Sequence, residues 1–209
     1  MKELAAAVPG PVPPCVILQQ DTRYLDLPDC SIDLMITSPP YGDSRTTAAY
    51  GEFSRLSLLW LDLGLDHREI HRLDRKLLGG TRREDHPALD SETLHRQLAA
   101  IAAQDPKRSE EVHSYYRDLD QALGAITAKM KVNSYQVWVV GNRTVKKVNL
   151  ATDRILVELG RKFHLHHVAT VTRRIPNKRM PRENSPTNKV GEKVTTMNHE
   201  YIVVLRKEQ

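Results

Sequence analysis

The apolar run Ile32-Asp33-Leu34-Met35-Ile36 empties into Thr37-Ser38-Pro39-Pro40-Tyr41, and no other stretch limits the fold so tightly. Two successive prolines donate no backbone N–H, and Pro40 holds Pro39 in an extended geometry, so a paired strand has to stop here. The turn keeps free carbonyls beside a hydroxyl on Ser38 and an aromatic plane on Tyr41. Such a motif has two physical readings. One is a polyproline turn of the kind that proline-binding grooves grip. The other is a set of acceptors and a ring at the carboxyl end of a strand, where open α/β sheets bind ligands. The second suits a planar base drawn out of its stack and held by its exocyclic amine.

The rest of the chain supplies elements for such a sheet. A near-continuous apolar run such as Ile32 to Thr37 is what a parallel strand covered on both faces requires. Cys15 to Asp21 reads as a short buried strand before it, and Ser134 to Gly141, Phe163 to Thr172 and Tyr201 to Arg206 as later strands. Phe53, Leu56, Leu59, Trp60 and Leu63 recur at helical spacing, which predicts an amphipathic helix over 53–65 with Trp60 in the core. His67 to Leu73 and Ser91 to Leu98 read as capped helices, and Thr152 is placed to cap a helix from Asp153 to Lys162. The expected fold is α/β and Rossmann-like, with a mostly parallel sheet whose last strand is antiparallel. About 60 charged, helix-forming residues follow the Pro-Pro turn, more than a plain crossover needs, so 66–129 is expected to be a helical insertion. Within it Gly79-Gly80-Thr81-Arg82-Arg83 is either a phosphate-contacting loop or a helix-to-helix link.

Composition narrows the classes. At 209 residues, 40% apolar and 27% charged, one globular domain over 15–209 is expected after a flexible Ala- and Pro-rich lead over 1–14. The net charge of +5 favours a polyanionic partner without demanding one. The excess is local: Arg173 to Lys193 carries seven basic residues against two acidic ones, in a Pro- and Asn-rich loop that can reach phosphates. Cys15 and Cys30 have no metal-ligand spacing and read as reduced structural thiols, with a cytoplasmic setting and no membrane span. His164, His166 and His167 have strand spacing and no accompanying carboxylate, so no metal is expected.

The Thr37-Ser38-Pro39-Pro40-Tyr41 spelling resembles the S-adenosylmethionine-dependent DNA amino-methyltransferases, and more narrowly their cytosine-N4 branch. The stretches Gly42 to Thr47, Tyr50 to Leu56, Asn142-Arg143-Thr144, Ile175 to Pro181 and Asn184 to Asn188 are similar to one subgroup of these enzymes. The resemblance implies a catalytic turn of Ser38, Pro39, Pro40 and Tyr41, with cofactor contacts from Asp21, Thr37 and Ser38. It further implies DNA contacts from Arg45, Arg143, Arg173, Arg174, Lys178, Arg179 and Arg182, and a base pocket walled by the residues before the last strand. One departure stands out: the family's Asp-Pro-Phe-x-Gly-x-Gly-like cofactor loop has no counterpart, because none of the ten glycines forms a Gly-x-Gly pair. The sheet is therefore expected to be incomplete, with a second protein chain supplying that loop. Adenine-N6 or RNA amine methylation, or a non-catalytic DNA-binding subunit, are the alternatives within reach of the same residues.

Overall fold

The computed structural model describes residues 14–42, 50–62, 64–82, 85, 87–175, 183–184, 194–195 and 197–209. The chain opens with β1 (Ile32–Thr37), followed by α1 (Tyr50–Leu61), α2 (His67–His71), α3 (Leu73–Lys76), α4 (Glu92–Ala102) and the long α5 (Pro106–Lys129). Next come β2 (Met130–Val140), a small hairpin of β3 (Thr144–Val145) and β4 (Val148–Asn149), α6 (Thr152–Gly160) and β5 (Leu165–Arg174). A short ladder of β6 (Glu183–Asn184) and β7 (Val194–Thr195) precedes the final β8 (His199–Lys207).

Four strands form the main sheet in the order β1-β2-β8-β5. β1 and β2 are parallel, and β8 runs antiparallel to both β2 and β5. Three strands thus point one way, and the last strand is inserted against them, as the sequence leads one to expect of an α/β fold. Two parallel strands cannot be joined by a tight turn, so the chain from β1 to β2 has to cross over the sheet. Helix α5 completes that crossing. Its start is fixed by Asp105, whose side chain accepts from the Arg108 amide, and by Pro106 in the first turn, where a missing N–H costs nothing. Ser91 caps α4 in the same manner, accepting from the Leu94 amide at 3.1 Å.

One core joins these elements. Leu94 and Ile101 of α4, Leu119 and Leu123 of α5, Leu156 and Leu159 of α6, and Trp138, Val203 and Leu205 of the sheet are all buried together. The stretch 66–129 contributes α4 and α5 to this shared core. Inside this core Gln136 accepts from the Trp138 indole at 2.9 Å and donates to the Thr127 hydroxyl at 2.8 Å.

Four sequence expectations are corrected. Residues 14–20 form no strand, and Val16 and Ile17 are exposed, because no sheet edge pairs with them and an unpaired strand has nothing to bury against. Trp60 is 86% exposed rather than in the core, since α1 packs on α2 and α3 and not on the sheet. Thr152 is inside α6 and not its cap; its hydroxyl pairs with the Tyr116 hydroxyl at 2.9 Å, and Ala151 occupies the N-cap. Cys15 and Cys30 are free and exposed, so neither thiol packs as a structural one. No helix among the described residues is long and apolar enough to cross a membrane.

Burial of this kind sets different costs for similar side chains. Leu123→Ala empties a fully buried position and lowers unfolding stability by about 2–5 kcal/mol. Leu56→Ala, on the outer side of α1, changes it by less than about 0.5 kcal/mol. Urea unfolding of the two variants checks the difference, and equal losses contradict the packing described.

Candidate active site at the carboxyl end of β1

Because β8 runs against its neighbours, its first residues lie where β1, β2 and β5 end. Tyr201 is opposite Val140, the last residue of β2, and Glu200 is opposite Arg173 near the end of β5. The Pro-Pro turn leaves β1 at this same edge. Four segments distant in sequence thus meet around Ser38 to Tyr41.

The turn is anchored from below and open above. Pro39 is buried, Pro40 and Tyr41 are half-buried, and Ser38 is exposed. The Pro40 carbonyl accepts from the Tyr115 hydroxyl of α5 at 2.5 Å and from the Gly42 amide at 2.9 Å. The Pro39 carbonyl accepts no hydrogen bond among the described residues. One carbonyl of the pair therefore fixes the turn, and its neighbour is not engaged by any described residue.

A polar chain runs from Ser38 into the protein. The Tyr41 hydroxyl donates to Glu200 Oε1 at 2.9 Å and lies 3.3 Å from Ser38 Oγ. Arg173 grips the other carboxylate oxygen, with Nε donating to Oε2 at 3.0 Å and Nη2 to the same atom. The phenol has one proton, and with that proton on Glu200, Ser38 has to donate to the phenol oxygen. Both Ser38 lone pairs then face outward as acceptors. Desolvation, with the Glu200 carboxylate beside it, raises the Tyr41 pKa, so the phenol stays protonated and the direction of the chain is kept. Arg173 holds the Glu200 carboxyl below the usual glutamate range.

The Tyr41 ring has a fixed seat. A side chain on Gly141, at the end of β2, would meet Met197 Sδ at 2.0 Å and Tyr41 Cδ2 at 3.0 Å. A side chain here would have to displace the end of Met197 and press on the Tyr41 ring, so glycine leaves the ring and Met197 room to cross the strand end. The following residue, Asn142, ties this end of β2 to α6, donating to Asp153 Oδ1 at 2.8 Å.

The other residues singled out from the sequence fall in several places. Thr37 closes β1 opposite Trp138, half-buried and next to the turn. Arg173 and Arg174 end β5 at this edge, the first engaged with Glu200 and the second exposed. Arg143 is half-buried just beyond β2, its carbonyl accepting from the Leu150 amide at 2.7 Å. Asp21 sits in an Asx turn, accepting from the Arg23 amide at 3.0 Å and from the Arg23 guanidinium, which lowers its pKa and also bridges to Asp118. Arg45, Lys178, Arg179 and Arg182 lie outside the described residues. In the Gly79–Gly80 break the Gly79 amide donates to Asp118 Oδ2 at 2.9 Å, so this N–H is spent inside the protein and not offered to a phosphate. No group of three or more His, Cys, Asp or Glu side chains that could hold a metal occurs among the described residues.

Tyr115 and Gly141 escaped the sequence reading, and Glu200 entered it only as one of the residues before the last strand. Glu200 carried a weak signal, being a carboxylate directly before the apolar run Tyr201 to Leu205, at the end of an antiparallel strand that has to return to the ligand side. Tyr115 carried none, because neighbouring Tyr116 has the same chemistry and only the phase of α5 separates them.

No protein-family model matches the chain. The type II methyltransferase M.MvaI of Kocuria varians is 44% identical over 203 residues, which take in 93% of this chain and 45% of the relative. The chain thus spans less than half the length of the curated relative it matches. Among solved structures, the crystal structure of TTHA0409 of Thermus thermophilus, a candidate DNA modification methylase, aligns at 14% identity with a TM-score of 0.43. That alignment covers 90% of this chain and 51% of the other. The same protein complexed with S-adenosyl-L-methionine aligns at 14% identity and a TM-score of 0.44, over 90% of this chain and 54% of that one.

The Glu200 carboxylate yields a pH signature. A depressed folded pKa adds stability that is complete above the unfolded value of 4.5 and is lost as pH falls through the folded value. The stability gap between wild type and Glu200→Gln is therefore constant from neutral pH to about 4.5 and closes in stronger acid. Denaturant midpoints across that range check it; a gap that persists at the acid end shows that Arg173 does not hold this carboxylate.

Proposed function

We propose that this chain carries the catalytic turn of a DNA methyltransferase that moves a methyl group from S-adenosyl-L-methionine to the exocyclic N4 amine of cytosine. The reading rests on one combination. The strand-end turn presents an exposed Ser38 hydroxyl and an unengaged Pro39 carbonyl, in a chain 44% identical to a type II methyltransferase.

An aromatic amine is a poor nucleophile because its lone pair is delocalised into the ring. Catalysis has to localise that pair, and two acceptors converging on the amine hydrogens do so. Ser38 Oγ takes one N–H, since its own proton is committed to Tyr41, and the Pro39 carbonyl takes the other. The nitrogen is thereby drawn toward tetrahedral geometry with its lone pair directed away from both acceptors. No strong base is needed, because the amine becomes acidic only once its new N–C bond has formed. The proton then leaves by way of Ser38 Oγ to solvent. Tyr41, held at its hydroxyl by Glu200 and at its ring edge by Gly141, supplies a stacking plane that offsets the few kcal/mol, roughly, lost when a base leaves its stack.

When bound, S-adenosyl-L-methionine would supply an electrophilic methyl group on a sulfonium sulfur. Thr37 and Ser38 border the place where that group must arrive. Asp21 is the acidic candidate for the adenine amine, and a ligand there has to share its carboxylate with Arg23. These residues fit only part of such a cofactor. The glycine-rich portion of the cradle is assigned to a second chain or a further segment, in keeping with a relative more than twice as long as the match. Arg143, Arg173 and Arg174, with Arg45, Lys178, Arg179 and Arg182, are assigned to the phosphates and bases of duplex DNA.

Nucleoside analysis of DNA from cells carrying the gene in its natural setting, compared with cells lacking it, tests the reading. N4-methylcytosine is the expected product. N6-methyladenine instead would move the assignment to the other amine, and unmodified DNA with methylated RNA would move it to another substrate. Loss of one acceptor through Ser38→Ala lowers methyl transfer about 10- to 100-fold. Tyr41→Ala lowers it about 10-fold or more through lost stacking. Unchanged transfer in Ser38→Ala removes the turn from the mechanism.

A further inference from the structure

The helices α4, α5 and α6 share one core on one side of the sheet, and the opposite side is apolar and uncovered among the described residues. In β2 the residues Ser134, Gln136, Trp138 and Val140 are buried, so Tyr135, Val137 and Val139 face the other way. The register carries that second face across the sheet: Ile36 lies beside Val137, Val139 beside Ile202, and Ile202 beside Val171. Ile36 is 66% exposed and Val171 55%. A sheet face meant for water alternates to polar residues here, and this one is aliphatic. It is continuous with two other features. At its side lies the outer edge of β1, which pairs with no strand among the described residues. At its top lies the site, since Glu200 alternates onto the same face as Ile202, and Arg173 onto the same face as Val171.

We infer that this face and the β1 edge form one docking surface for the companion portion of the methyltransferase, which adds a strand parallel to β1 and lays a helix across Ile36 to Val171. The inference rests on the functional reading above and extends it to an interface. Three observations select that occupant. The curated relative continues beyond the match for more than half its length. The surface ends at the turn carrying Ser38 and at Glu200, so an occupant of it reaches the candidate site. β1 already has a parallel neighbour in β2, and parallel strands come with crossover helices that cover the sheet face. A second copy of this chain fits less well: a two-fold axis at the β1 edge pairs the strand with itself antiparallel and brings no glycine loop.

The chain is co-expressed with the portion of M.MvaI outside the match, so that the two can fold together, and the purified product is examined by sedimentation velocity. A one-to-one complex is expected. Ile36→Asp and Val171→Asp each weaken it by about 100-fold or more, because each places an unpaired charge in an apolar contact. Both variants keep the circular dichroism and unfolding midpoint of the isolated wild-type chain, in which these side chains are already exposed. Absence of a complex, a complex indifferent to both substitutions, or self-association that both abolish, each overturns the inference. Association is read without catalysis, so a sensitive complex that transfers no methyl group sinks the functional reading and leaves the interface standing. Methyl transfer by the isolated chain without any complex does the reverse.

Discussion

The hydrogen bond from the Tyr115 hydroxyl to the Pro40 carbonyl connects the two halves of this structure. Tyr115 is buried in the core that α5 shares with the sheet, and Pro40 belongs to the turn where β1 gives out. Prolines remove the ladder bonds that would otherwise hold a strand end in place, so the turn needs an anchor from a different element. A single side chain of the crossover helix provides it. Anchoring through Pro40 rather than Pro39 also decides which carbonyl remains available. The position of the free acceptor next to Ser38 is thus set by the phase of a helix that begins far along the chain, at Pro106.

From that anchor the polarity of the site follows without further assumption. Arg173 keeps Glu200 ionised, and the carboxylate takes the single proton of Tyr41. Ser38 is then the donor to the phenol oxygen and is left with two lone pairs toward solvent. Each bond in the series strengthens the next by polarisation, so the series behaves as one unit rather than three contacts. Its members come from the turn after β1, from β5 and from β8, and the antiparallel insertion of β8 lets the start of one strand meet the ends of the others.

Much of this frame was legible in the sequence. The apolar runs at Ile32, Ser134, Leu165 and Tyr201 each became strands of one sheet, because such runs can be satisfied only by pairing and burial. The Pro-Pro turn was legible for the same reason, as proline is the one residue whose backbone chemistry is written in its name. The failures share a cause as well. Val16, Ile17 and Trp60 have the pattern of buried residues but are exposed among the described residues. Periodicity reports what a residue would do in company; it says nothing of whether the company belongs to the same segment. Tyr115 and Gly141 escaped for a different reason, since their roles arise from the crossing of elements and not from any local pattern.

The uncovered sheet face bears on the electrostatics of the site and not only on assembly. Glu200 and Arg173 lie at its upper rim, where the Glu200 side chain is largely covered but that of Arg173 is 60% exposed, so water screens the ion pair from that side. A layer of protein laid over Ile36 and Val171 excludes that water and lowers the effective dielectric around the same atoms. The pair then fixes Tyr41 more strongly, Tyr41 orients Ser38 more strongly, and the acceptors harden at the moment a substrate amine meets them. Burial of an apolar face and sharpening of a polar chain are, in this arrangement, consequences of one event, because alternation along β8 puts Glu200 and Ile202 on the same side of the sheet.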